Sequence, residues 1–358
     1  MMSLQIAIEK VRWLVAGLLE LNGCDADIAQ DVAEHMIEAE RYGFTSHGVT
    51  LLPKYLDNIA RGDVTVNARP KCTANEGNLL RFDGCNGFGQ YAGKIALTAA
   101  IERARQQGFC LLTLCHAHHL GRLGHYGQMA ADKGLAMLAM SNVTGRPALV
   151  APWGGAEARM TTNPFCFAWP FKDGRPAILV DFATSSMALN KARVLSAQGK
   201  TVKSGQLIDA QGHPSLDPGV LFTSPAGALL PFGEHKGFGL ALAIEMMAGI
   251  LSGGETIAED HRPDGSAHNH LFALLIDPDK FSVLADEKGQ FFADYLLATR
   301  PQPDGKGVIY PGMPEAAIRE RNDKTVPIPA TFWSWVVEHY AEKGIDLHLH
   351  AQPAALAG

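Results

Sequence analysis

Residues 116–126 read HAHHLGRLGHY, which puts four histidines and one arginine into eleven positions. An imidazole titrates near neutrality, at about 6.5 when unperturbed, so it can pass a proton, ligate a metal when neutral, or hydrogen-bond to backbone. A guanidinium beside it offers a planar fork for an oxyanion. His118, His119, Arg122 and His125 share the stretch with Gly121 and Gly124, which let the chain turn or a ligand come close. Three readings stand open on the residues alone: a metal centre, histidines satisfied by backbone, or a proton-transfer histidine beside an anion-binding arginine. The spacing is poor for a metal, because there is no HExxH and no cysteine pair to complete a tetrahedral set, so no metal is assigned. The third arrangement suits chemistry on a carbonyl next to a carboxylate.

What positions these groups is the apolar run CLLTLC at 110–115, a pattern that predicts a buried strand delivering residue 116 onward to a sheet edge. Loops at such edges carry reactive side chains on backbone that the sheet holds still. Three other stretches carry candidate groups. Ser46 and His47 fall in a break between a helix predicted over 25–41 and another that starts near Pro53, where a buried structural histidine is the plain alternative. The strand predicted over 177–185 ends in Asp181, Thr184 and Ser185, groups able to hydrogen-bond a ribose or simply to cap a helix. In PFGEHKGFG, His235 and Lys236 stand among glycines before an apolar helix, an anion site made of helix-start amides and a lysine, or else glycine-permitted close packing. The segment does not match GxxxxGK[ST], so it is not a Walker loop.

Gly87, Gly89 and Gly93 lie between a strand predicted at 79–83 and a helix running to 107, which invites comparison with a dinucleotide-binding βαβ unit. That unit should end its second strand near an acid for the adenosine ribose. Here the second strand runs into Cys115 and His116, so the glycines are expected to pack a helix instead.

With 358 residues, 47% of them hydrophobic, the chain can bury a sizeable core in two domains or one interleaved pair. A net charge of -6 leaves no basic field, so nucleic acid is not expected as a partner. Six cysteines without a CxxC fit free thiols in a reducing compartment, and Glu9, Lys10 and Arg12 interrupt the first apolar segment, unlike a signal peptide. No window is apolar for the roughly eighteen residues of a membrane span. The expectation is a cytoplasmic protein with no membrane partner. Helical periodicity covers 3–21, further buried strands are predicted at 135–143 and 271–276, residues 199–231 and the proline-rich 309–322 read as loop, and the tail 348–358 reads as disordered.

Taken together, SHGVTLLPKY, HHLGRLGHY, the NPF of TTNPF, VDFATS, LLPFGEHKGFGLA and PGMPE resemble the malate/L-lactate dehydrogenase family that lacks a Rossmann fold, and among its branches the hydroxycarboxylate dehydrogenases. The likeness spans almost the whole chain. It implies a homodimer, an α/β fold with a non-Rossmann NAD(P)-binding domain built on a large mixed sheet, and a discontinuous helical domain from both ends of the chain. Expected boundaries are 1–75 and 232–345 for the helical domain, 76–231 for the cofactor and substrate domain, and 346–358 for the tail.

The resemblance further implies hydride exchange between NAD, or NADP, and a small 2-hydroxy or 2-oxo acid. His47 and His119 become the acid/base candidates, Ser46 a substrate contact, and Val180, Asp181, Phe182, Ala183, His235, Lys236, Gly312, Met313 and Pro314 the cofactor contacts. Three positions depart from the family pattern. Leu51 replaces an arginine, which passes any carboxylate-binding role to Arg122; Thr161 and Asn190 replace glycines. The rival functions are a metal-dependent hydrolase using His116, His118, His119 or His125, and a nucleotide-binding protein without catalysis.

Overall fold

The structure is a computed structural model that describes residues 3–260, 265–305, 307–345 and 347. The expected tail disorder therefore lies outside the described residues. The chain forms two compact units, one of Met1–Asn67 with Met313–Gly358 and one of Ala68–Gly312.

From the amino end the elements are β1 (Ser3–Ala7), α1 (Ile8–Glu20), α2 (Ala26–Arg41), α3 (Leu52–Arg61), β2 (Lys71–Glu76), β3 (Leu79–Asp83) and α4 (Gly89–Gln107). There follow β4 (Phe109–His118), α5 (Leu123–Ala131), β5 (Ala136–Thr144), β6 (Pro164–Trp169), β7 (Ile178–Ala183) and α6 (Leu189–Ala197). Three short strands, β8 (Leu207–Ile208), β9 (Pro214–Ser215) and β10 (Ala228–Leu229), thread the loop-rich segment before α7 (His235–Ile244). Last come β11 (His268–Ile276), α8 (Pro278–Phe281), α9 (Ala285–Leu297), α10 (Met313–Arg321), β12 (Thr325–Pro329) and α11 (Ala330–Glu342).

In the terminal unit, α1 and α2 bury Val11, Leu14, Val15 and Leu18 with Ile28, Val32 and Met36, the apolar stripes that the helical period predicts. Helix α1 starts at Ile8, not residue 3, because residues 3–7 pair antiparallel with β12 from the far end of the chain. No local pattern announces a strand whose partner is that distant. Residues 313–321 were expected as loop and form α10, with Pro314 in its first turn, where a missing amide costs nothing.

The larger unit is built on a seven-stranded sheet of order β2-β3-β4-β11-β5-β6-β7. Only β3 and β4 run parallel as neighbours, joined by α4, and every other adjacent pair is antiparallel. The sheet is mixed and is not a Rossmann sheet. Gly89 shows why its glycine motif has another purpose: a Cβ there would come within 2.1 Å of the His118 carbonyl oxygen, so the helix start lies directly on the end of β4. One sheet face buries Leu112, Leu114, Met137, Ala139 and Leu275 under α4 and α5. Against the other, Leu138, Met140 and Phe272 pack on Ile244 and Ala248 of the helical run after residue 235. Alternate residues thus face opposite layers, as a strand covered on both sides requires.

Residues 232–312 belong to this sheet unit, which corrects the boundary drawn at 231. Strand β11 lies between β4 and β5, bonded to both, and α7 packs on β5 and β6. The run HLFALLI identifies a buried strand but not its neighbours. Among the described residues no helix is long and apolar enough to cross a membrane.

Candidate active site

Because β11 is antiparallel to both β4 and β5, those two strands point the same way, and β7 joins them through two further antiparallel steps. Their carboxyl ends gather at one edge. There His268 stands opposite both His118 and Thr144, and Pro164 stands opposite Ala183.

Strand β4 does not reach this edge evenly. Asn269 pairs with Ala117 and Leu271 with Leu114, so two residues of β11 span three of β4 and a bulge falls at Cys115–His116. His116 takes left-handed backbone, φ 49°, and the alternation inverts across it: Ala117 joins Leu112 and Leu114 in one core face. The bulge turns His116 toward acids, with Nδ1 3.3 Å from Asp83 and Nε2 3.4 Å from Glu255. Its spare amide donates to Nδ1 of His270 at 3.0 Å. The Nε2 atom of His270 meets both the Glu255 carboxylate and the Glu255 amide at 3.1 Å. Burial first, then the nearby His116 and His268, pushes His270 down to about 4. Asp83, His116, Glu255, Asp260, His268 and His270 line a cavity of about 420 Å³.

The other histidines of the run separate by environment. His118 is fully buried, its ring edge-on to Phe88 at 5.8 Å and near His268 at 6.2 Å. His125, in the first turn of α5, is pushed down to about 3 by desolvation, then by the positive charges of Arg122 and Lys94. It is neutral at physiological pH. His119 is half-buried just past β4, where the Leu120 amide is pinned to Asn269 Oδ1 at 2.8 Å. Arg122 is only 2% exposed, and its charge acts on His125 and on Cys166 beneath α5. Arg122, the arginine expected to meet the carboxylate, stands at the N-cap position of α5 in extended backbone.

Asp181 also serves α5: its Oδ2 accepts the Gly124 amide at 2.9 Å. Phe182, its neighbour in β7, packs between Phe165 at 5.5 Å and Phe232 at 5.4 Å. The Phe232 amide bonds to the Thr184 carbonyl at 2.9 Å, which brings the start of α7 to the end of β7. His235 and Lys236 are exposed there. The helix-start amides are less open than the sequence implied, since those of Lys236, Gly237 and Phe238 donate to Gly233, Phe232 and Glu234 carbonyls. Any grip on an anion falls to the lysine side chain. Gly312 closes on the start of β7, where Pro311 accepts the Leu179 amide at 2.9 Å. Gly312 thus lies at the start of β7, Val180, Asp181, Phe182 and Ala183 run along it, and His235 and Lys236 follow the turn that meets its end. Met313 and Pro314 open α10 in the terminal unit, which also carries Ser46 and His47 in a short helical turn, with Ser46 Oγ 3.0 Å from His47 Nδ1.

The sequence profile of malate/L-lactate dehydrogenase matches residues 6–336. The chain belongs to the malate/L-lactate dehydrogenase family. It is 45% identical over 332 residues to an L-lactate dehydrogenase of Cupriavidus necator, covering 92% of this chain and 95% of that one. It is 35% identical to hydroxycarboxylate dehydrogenase B of Escherichia coli, covering 90% of each chain. Among solved structures, the sulfolactate dehydrogenase of Methanocaldococcus jannaschii superposes with a TM-score of 0.86 at 25% identity, covering 96% of this chain and 99% of that one.

In this member of the family a buried polar network, which the motifs do not reveal, braces the edge. Asn142 and Asn163 donate to the two oxygens of Glu245 at 3.0 and 2.9 Å, and burial raises this carboxyl above its usual range. Asn269 donates to the Asn142 carbonyl at 2.7 Å, tying the network to the His119 loop. Glu245 opens a π-helical turn, 245–250, that continues α7; such turns often mark functional sites. Thr161 places its hydroxyl 2.6 Å from Asn163 Oδ1, filling with a hydrogen bond the place of the expected glycine. Asn190 lies in α6, so left-handed backbone is not required of it.

As for the metal rival, the group whose donor atoms converge among the described residues is Asp83, Cys115 and His116. Only one member comes from the histidine run. Burial holds the Cys115 thiol up at about 11, so it is a poor thiolate.

Proposed function

We propose that the protein is an NAD(P)-dependent oxidoreductase that interconverts a 2-hydroxy acid and its 2-oxo acid. The observation that carries this reading is the placement of His119. Of the four histidines in the run it is the one neither fully buried, held neutral by its surroundings, nor bridged between acids, and it stands at the edge where three parallel-pointing strand ends meet. A bound nicotinamide supplies or accepts the hydride at the carbonyl carbon. His119 gives the alkoxide its proton in reduction and removes it in oxidation. Bonds from Asn269, itself held to Asn142, fix the backbone after His119 and so the direction of its ring. His47 is the second candidate for the same proton, and Ser46 supports its ring.

For the cofactor, the residues present fit a dinucleotide: the β7 strip 180–183 offers backbone and aromatic surface, and exposed Lys236 offers charge for a pyrophosphate. Asp181 supports this strip by holding α5. Relatives named for lactate and hydroxycarboxylates support a small hydroxy acid, and the exposed Phe291, Phe292 and Tyr295 of α9 support burial of that face in a homodimer.

A panel of 2-oxo acids offered with NADH and NADPH, followed at the nicotinamide absorbance, tests the function. Turnover of at least one acid is expected. Quenching of NADH fluorescence without turnover of any acid would make the protein a nucleotide binder instead.

A further inference from the structure

Arg146 follows β5 by two residues, in a loop whose Gly145 amide is tied to the Asp260 carbonyl at 2.7 Å. Its Nε is buried and, among the described residues, has no hydrogen-bond partner. Desolvation, then the positive charge of Arg193 on α6, holds its guanidinium below the usual range, and among the described residues no carboxylate pairs with it. Arg193 lies over the Phe222 ring at 5.4 Å. Two guanidiniums, one of them largely out of water and lacking a counter-charge, form an arrangement that costs stability unless an anion arrives.

The position of the loop says which reaction that anion belongs to. His268 faces His118 on one side and Thr144 on the other. His119 and Gly145 therefore leave the same row of the sheet two strands apart, about 10 Å at the usual strand spacing. A small acid lying across these two strand ends would have a histidine at one end and the arginine-bearing loop at the other.

We infer that Arg146 is the oxyanion anchor of this site and receives the carboxylate of the 2-oxo acid, with Arg193 reinforcing the positive field. The inference rests on the oxidoreductase reading above. A cofactor phosphate has the same oxyanion chemistry, and the experiment separates the two.

Oxamate, a carboxylate beside a carbonyl, is titrated into the NADH complex of the wild type, Arg146→Met and Arg146→Lys, with NADH fluorescence as the readout. Loss of a charged hydrogen bond should weaken oxamate binding to Arg146→Met by about tenfold to hundredfold, since 1.4 kcal/mol is a factor of ten. Arg146→Lys should recover part of it, keeping charge without the fork. NADH and NADPH dissociation constants should stay within about twofold. The Tm of ligand-free Arg146→Met should rise, because an uncompensated buried charge is gone; if that variant fails to fold, the lysine variant carries the comparison. Oxamate affinity equal to wild type in both variants would overturn the inference, and selective loss of NADH or NADPH affinity would move the anchor to a cofactor phosphate. Turnover of the acid panel by the wild type reports on the functional reading independently of Arg146.

Discussion

His270 satisfies the backbone of His116: its Nδ1 accepts the amide that the β4 bulge leaves out of the ladder, at 3.0 Å. Protonating Nδ1 would replace that acceptor with a donor aimed at another donor. Burial above all holds His270 at about 4, against about 6.5 in an unfolded chain. Between those values the unfolded state binds the extra proton, so this contribution to stability is complete above pH 6.5 and is lost as pH falls toward 4. The full loss is on the order of 3 kcal/mol. The ring faces Glu255 at 3.1 Å and the charges of His116, His268, Asp260 and Asp83, which act in both directions, and desolvation is the largest influence. His270→Asn keeps an acceptor for the amide and should flatten the stability profile between pH 6.5 and 4 in urea unfolding. The slope that remains is set by His125, held at about 3, and in the opposite direction by carboxyls that burial raises, among them Glu40 at about 7. An unchanged slope would mean that His270 does not titrate with folding.

Removing the general acid should cost about a hundredfold to ten-thousandfold in turnover. His119→Asn is expected to show that loss with NADH affinity kept. His125→Asn should stay within a few-fold, since a ring titrating near 3 has no proton to give at neutral pH. His47→Asn is expected to raise KM more than it lowers kcat. Were His47→Asn the variant that loses kcat and His119→Asn the mild one, the two roles would exchange.

How far the sequence reached depended on the range of the interaction. The strand at 110–115 and the helix at 25–41 were legible because their signals are local and periodic. The central place of β11 was not, since a fully buried strand looks alike beside any neighbour, and β1 was hidden for the same reason. The histidine run was legible as chemistry but not as a division of labour. A one-residue bulge decides that His116 turns to Asp83 and Glu255 while His119 goes to the edge, and no residue type marks a bulge here. Arg122 illustrates the limit: its residue type and loop were legible, but its near-complete burial was not. Asn142, Asn163 and Glu245 are single polar letters far apart in the chain, joined only by the fold.

Lys236 offers a measurable test of the cofactor end. It is exposed and its neighbouring amides are already bonded, so its contribution is charge rather than packing. Lys236→Ala should weaken NADH binding by about threefold to tenfold at low salt, with the difference shrinking as ionic strength rises and Tm unchanged. A dissociation constant equal to wild type at low salt would exclude Lys236 from the pyrophosphate site.

Asp181 separates a structural use of a carboxylate from a ligand-binding one. The first amides of a helix have no partner within the helix, and a carboxylate set against them also meets the positive end of the helix dipole. Asp181 fills this place for α5 from another strand, accepting from Gly124. Burial first raises the Cys166 thiol, after which Asp181 raises and Arg122 lowers it, so both charges are felt at one buried point. Asp181→Ala removes the acceptor of the Gly124 amide, typically a loss of about 1 kcal/mol. Asp181→Asn keeps an acceptor oxygen and should fall between. If the aspartate serves α5, both variants lose urea stability in that order while NADH and NADPH affinities move by less than about threefold. If instead it holds the ribose, stability stays near wild type and NADH affinity collapses in the alanine variant. Unfolding midpoints and fluorescence titrations of the same three proteins decide between these outcomes.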